Sequence, residues 1–184
     1  MIEVIADHLE INQIGWAPYI KARTLPLKLY TIKSGKQVRR SLLTGDVASP
    51  DDSWVIEIKR NAKDFLLSFT DGGHFNNLKS EGKHMMCYKH RFILIYPEKR
   101  QIMLEASHLG LNAASAFRNL KNWVSYNVIA PPYFNVNDED LCQLILYLAQ
   151  GSGENRRDNL TYPAFPDREC LPAQVKKTRK EAGF

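Results

Sequence analysis

Arg91-Phe92-Ile93-Leu94-Ile95-Tyr96 is the segment that most restricts the fold. Successive strand residues point to opposite faces, so a run with almost no polar interruption leaves both faces apolar. Such a strand belongs in the interior of a sheet covered on both sides. Pro97 to Arg100 reads as a turn, and Gln101 to Glu105 as the returning strand of a hairpin. Trp54 to Arg60 and Phe65 to Thr70 are strand-like, and Asp71-Gly72-Gly73 is a turn signal. Ile2 to Glu10 fits either a short helix or a strand.

After Gly110 the apolar period changes. Ala114, Phe117, Leu120 and Val124 recur at helical spacing behind Asn112, a good N-cap, and predict a helix over Ala113 to Tyr126. Leu141, Leu144, Ile145 and Leu148 form a second stripe behind Asn137, with Asp138-Glu139-Asp140 in the first turn, where carboxylates favour the helix dipole. Strands followed by helices imply an α+β fold, with a mainly antiparallel sheet of hairpins in the N-terminal two-thirds and two amphipathic helices packed on one face. Residues 1–150 read as one domain. Residues 151–184, with Pro163, Pro166, Pro172 and the basic end Lys176 to Lys180, read as an extended polar tail.

At 184 residues the chain is long enough to bury a core without disulfides or metal. Cys87, Cys142 and Cys170 are odd in number and widely spaced, which implies a reducing, cytoplasmic setting. The start Met1-Ile2-Glu3 lacks the basic region of a secretory signal, and the longest apolar stretch, Leu144 to Ala149, is far below the roughly 20 residues a membrane helix needs.

Charge is segregated. From Ile11 to Gly45 the chain carries Lys21, Arg23, Lys28, Lys33, Lys36, Arg39 and Arg40 and no Asp or Glu; elsewhere acids slightly outnumber bases. Leu27 to Ile32, the turn Lys33-Ser34-Gly35-Lys36, and Gln37 to Leu43 read as a hairpin that would present Lys28, Lys33, Lys36 and Arg39 together. A cluster of this kind is the footprint of a polyanionic partner, and Tyr30 could stack on a base. The expected function is therefore a non-catalytic protein, of accessory-factor or inhibitor type, that binds nucleic acid or a nucleoprotein complex through this basic hairpin. An acidic protein surface is an alternative partner. Neither a membrane nor a cofactor is implied.

A catalytic alternative starts from Asp46, followed by a loop and the strand Trp54-Val55-Ile56-Glu57-Ile58-Lys59. The pattern resembles the core of the PD-(D/E)xK nucleases, in which an acid precedes an apolar strand bearing Glu-x-Lys. That resemblance implies a Mg²⁺-dependent nuclease: Asp46 and Glu57 would hold the ion, and Lys59, on the same strand face as Glu57, would orient water toward a phosphodiester. The family carries a further acid on a preceding helix, where this chain offers only Glu10. The plainer reading of Glu57 and Lys59 is a solvent-facing surface pair.

His84, Cys87 and His90 invite a zinc reading, but on a strand Cys87 would point away from the two histidines; Cys87 reads instead as a small core residue. There is no nucleophile elbow, Walker A loop or dinucleotide fingerprint.

Overall fold

The structure, a computed structural model, describes residues 1–7, 10, 19–23, 29–33, 36–40, 45–70 and 72–151. Its elements in chain order are β1 (Ile2–Ala6), β2 (Ile20–Arg23), β3 (Leu29–Lys33), β4 (Lys36–Arg40), β5 (Val47–Ala48), β6 (Trp54–Lys59), α1 (Ala62–Thr70), α2 (Gly72–Met85), β7 (His90–Ile95), α3 (Lys99–Leu109), α4 (Ala113–Tyr126), β8 (Tyr133–Phe134) and α5 (Asp138–Gly151). Six strands form one sheet in the order β2-β1-β5-β6-β7-β8, and β3 and β4 form a separate two-stranded ribbon.

The α+β class holds, but the sheet is not mainly antiparallel. Only β1 with β5 and β5 with β6 run antiparallel; β1 with β2, β6 with β7 and β7 with β8 are parallel. The reason lies in the connections. Phe65 to Thr70 and Gln101 to Glu105 are helical, so β6 reaches β7 through α1 and α2, and β7 reaches β8 through α3 and α4. Helical crossovers of this kind join parallel strands, whereas short turns join antiparallel ones.

Local chemistry explains both helices. Asn61 Oδ1 accepts the backbone N–H of Asp64 at 2.8 Å and caps α1. Phe65, Leu66 and Phe69 then form one buried stripe. Glu98 and Gln101 exchange capping bonds at the start of α3, and Gly110 closes it at φ 65°. Along α3 only Ile102 and Ala106, four apart, are buried, while Met103 and Leu104 stay exposed. The apolar triplet Ile102-Met103-Leu104 is thus the flank of a helix rather than a strand. The two expected later helices are as read: Asn112 Oδ1 accepts from Ser115 N at 3.0 Å, and Asn137 Oδ1 accepts from Asp140 N at 3.0 Å.

Helices cover both faces of the sheet, not one. Trp54, Ile56, Ile58, Phe92 and Leu94 pack under Leu141, Leu144, Ile145 and Leu148 of α5. Val55, Ile93 and Ile95 pack under Phe65 and Phe69 of α1, Leu78 of α2, Ile102 of α3 and Leu120 and Trp123 of α4. Each such side chain contributes roughly 1.5–3 kcal/mol on burial. As its composition requires, β7 is interior, between β6 and β8.

The acid-free stretch is split between two places. Lys21 and Arg23 lie on β2 in the main sheet, where Lys21 Nζ sits 3.8 Å from Glu3 of β1. The β3–β4 hairpin forms as expected, with Lys33 paired to Lys36 and Leu29 to Arg40. Lys28 lies outside the described residues. So does the expected tail beyond Gly151. Among the described residues, no helix is long and apolar enough to cross a membrane.

Candidate active site

The β5–β6 hairpin brings the catalytic alternative together. Val47 pairs with Ile56 and Ala48 with Val55, and just before this ladder Asp46 N donates to Ile56 O at 2.9 Å. Gly45 makes the approach possible. It sits at φ +71°, and a Cβ there would lie 2.4 Å from Val55 Cγ2 and 3.1 Å from Ile56 O. Asp46 Oδ2 then accepts the N–H of Ile58 at 2.6 Å, which fastens the acid to the residue between Glu57 and Lys59.

Glu57 and Lys59 are not a surface pair. They are 5% and 8% exposed, and Glu57 Oε1 meets Lys59 Nζ at 2.9 Å. The surface reading assumed that this strand had a wet face, but β6 lies between β5 and β7 and α1 closes over it. Asp64, in the first turn of α1, reaches Lys59 Nζ at 4.0 Å.

The electrostatics are those of acids crowded out of water. Burial, then repulsion from Glu57, pushes the Asp46 carboxyl well above the usual carboxylate range. Burial also raises Glu57, although Lys59 opposes the shift. Desolvation would lower Lys59, but Glu57, Asp64 and Asp46 together outweigh it and hold the ammonium above its ordinary value. Lys59 is therefore a fixed cation at neutral pH.

A second ionic group adjoins the first. Arg60, the residue after Lys59, donates from Nε to Glu10 Oε1 at 3.0 Å and from Nη1 to Asp138 Oδ1 at 2.8 Å. Its guanidinium lies 4.6 Å from the centre of the Tyr96 ring, and the Tyr96 hydroxyl donates to the same Asp138 oxygen at 2.7 Å. Glu10 is 6% exposed and adds to the repulsion that raises Asp46.

Asp46 and Glu57 are the two carboxylates that could hold a cation here, as the nuclease resemblance implies. Among the described residues, no group of three or more His, Cys, Asp or Glu is arranged as a metal site. Two carboxylates nonetheless suit Mg²⁺, which keeps several waters and takes substrate phosphate oxygens as further ligands. Repulsion from Glu57 helps to raise the Asp46 carboxyl, and a bound dication would relieve it. The His84, Cys87 and His90 set is dispersed: His84 is in the last turn of α2, His90 opens β7, and Cys87 between them is exposed rather than a core residue.

Sequence reasoning brought out Asp46, Glu57 and Lys59 but not Arg60, Asp64, Tyr96 or Asp138 as part of this end of the sheet. Arg60 had an available signal, since it directly follows the Glu-x-Lys strand, and Asp64 lies five residues beyond Lys59. Asp138 was read as a helix-dipole acid and also serves as an acceptor for Arg60 and Tyr96. Neither the protein-family models, the curated proteins nor the solved structures include a match to this chain.

Proposed function

We propose that this chain is a Mg²⁺-dependent phosphodiesterase acting on nucleic acid, with Asp46 and Glu57 as the metal-holding carboxylates and Lys59 as the cation beside the scissile phosphate. The observation that carries this reading is the burial of Glu57 and Lys59 against each other, with Asp46 hydrogen-bonded to the residue between them. Buried charges of this kind cost several kcal/mol each in desolvation, and packed apolar residues would serve the fold as well. Burial thus favours chemistry over a purely structural or gripping role.

The ion would polarise the phosphate and lower the pKa of attacking water. Asp46 is oriented for its task by the Ile58 N–H, which holds its Oδ2. Lys59, held protonated by its three acidic neighbours, acts as a donor to a phosphate or water oxygen and not as the base. The overall reaction adds water across a P–O bond, giving a phosphate monoester and a free hydroxyl. The β3–β4 ribbon, which pairs Lys33 with Lys36, supports a nucleic-acid substrate, because a two-stranded ribbon fits a duplex groove.

The test is cleavage of labelled single- and double-stranded DNA and RNA with Mg²⁺, Mn²⁺ or chelator. Wild type should cleave at least one form only with metal, and Glu57→Gln or Lys59→Met should lose at least about 100-fold while retaining their circular dichroism. Absence of cleavage by wild type on every form would overturn the reading and leave binding alone as the function. In that case binding should weaken with salt with a log–log slope of about −4 to −5 if some five cations meet phosphates.

A further inference from the structure

We infer that Arg60 is a positioning residue for this site, holding the segment that carries Glu10 against the back of Asp46; the inference rests on the phosphodiesterase reading. The geometry is a closed circuit. Asp46 Oδ2 accepts from Ile58 N at 2.6 Å, and Ile58 leads along β6 to Arg60. Arg60 grips both carboxylate oxygens of Glu10, Nε reaching Oε1 at 3.0 Å while Nη2 takes Oε2. Glu10 N donates to Asp7 O at 2.9 Å, and Asp7 N donates to Asp46 O at 2.8 Å, which returns the circuit to its start. Asp46 is therefore fixed from its side chain by β6 and from its carbonyl by the segment after β1, and Arg60 is the side chain that joins the two.

A planar guanidinium is suited to this task. Its fork matches one carboxylate while its remaining nitrogen reaches Asp138 on α5, and its face rests on Tyr96. A lysine could supply the charge but not both directions at once. Both carboxylate oxygens of Glu10 meet Arg60, so loss of Arg60 would break the link from Glu10 to the end of β6. Residues that orient metal-holding carboxylates in this way typically change metal affinity or activity by about 10- to 100-fold when replaced.

The experiment measures Mn²⁺ binding by calorimetry on the full chain, alongside cleavage, for wild type, Arg60→Met, Arg60→Lys and Asp138→Asn. The expected result is Mn²⁺ affinity weaker by about 10-fold or more in Arg60→Met, partial recovery in Arg60→Lys, and change of no more than about 2-fold in Asp138→Asn, which keeps the Glu10 clasp. Asp138→Asn is also expected to lower the melting temperature, so a purely structural network would give parallel losses in stability with unchanged Mn²⁺ affinity in all three variants. Wild-type affinity in folded Arg60→Met overturns the inference about Arg60 alone. If Arg60→Met fails to fold, Arg60→Lys decides: Mn²⁺ affinity equal to wild type overturns the inference, and weaker affinity supports it. If wild type does not bind Mn²⁺, or if Asp46→Asn binds as wild type does, the function reading falls and this inference with it.

Discussion

β6 and β7 are neighbours in the same sheet, parallel and in register, yet they fill the same layer of the core with opposite chemistry. Glu57 pairs in register with Ile93, and Lys59 with Ile95. All four side chains are buried, and all four positions face the layer made by α1 to α4. What β7 does with two isoleucines, which need no partners, β6 does with two opposite charges that must be matched to each other at 2.9 Å. The fold evidently accepts an apolar pair at this depth. On the proposed reading the charged pair serves a ligand, since a buried ion pair is weak support for stability.

The comparison can be pressed hardest by breaking the pair from one side. Lys59→Met leaves Glu57 and Asp46 crowded in the interior without their cation, and should lower stability by about 3 kcal/mol or more in chemical denaturation. The equivalent truncation on β7 removes only packing. Mg²⁺ should restore part of the loss in Lys59→Met, because a dication replaces the missing charge. Equal stability of Lys59→Met and wild type would mean that the charges are not confined as described.

A smaller effect, opposite in sign, is expected at Asp46. Its carboxyl and that of Glu57 titrate above the usual range in the folded chain. A raised carboxyl binds its proton more tightly when folded. Its stabilising contribution is then fully present below the unfolded value near 4, and is lost as pH rises through the folded value. Asp46→Asn removes this loss while its side-chain oxygen can still accept from Ile58 N–H. It should therefore be more stable than wild type at neutral pH by about 1 kcal/mol, with the gap closing toward pH 4, and should bind no Mg²⁺. Asp51, whose carboxyl is lowered by hydrogen bonds from Ser53 and Ser49 that outweigh its partial burial, contributes the opposite slope in both proteins and cancels in the difference.

Legibility in the sequence followed the range of the interactions. The interior position of β7, the β6 strand, the β3–β4 hairpin and the Asn112 and Asn137 caps are set within a few residues, and all were readable. Helices α1 and α3 were misread because Phe65-Leu66 and Ile102-Met103-Leu104 are apolar clusters whose period is decided by what covers them. Their caps at Asn61 and at Glu98 with Gln101 were the better signal. The Glu-x-Lys strand was visible, but its burial was not, since that depends on α1 folding back over β6. Least legible was the clasp of Glu10 by Arg60, which joins residues 50 apart through side chains only. Each would read as an ordinary surface charge until the end of β6 is seen beside the segment after β1.

The most direct test makes β6 imitate β7. The double variant Glu57→Met, Lys59→Met replaces the ion pair with apolar side chains of similar length, and is measured for both stability and metal-dependent cleavage beside wild type. The expected result is a folded protein as stable as wild type, or more stable by about 1–4 kcal/mol, with no cleavage. A double variant that unfolds, or one that folds and still cleaves nucleic acid at the wild-type rate, would contradict the claim that these buried charges serve chemistry rather than the fold.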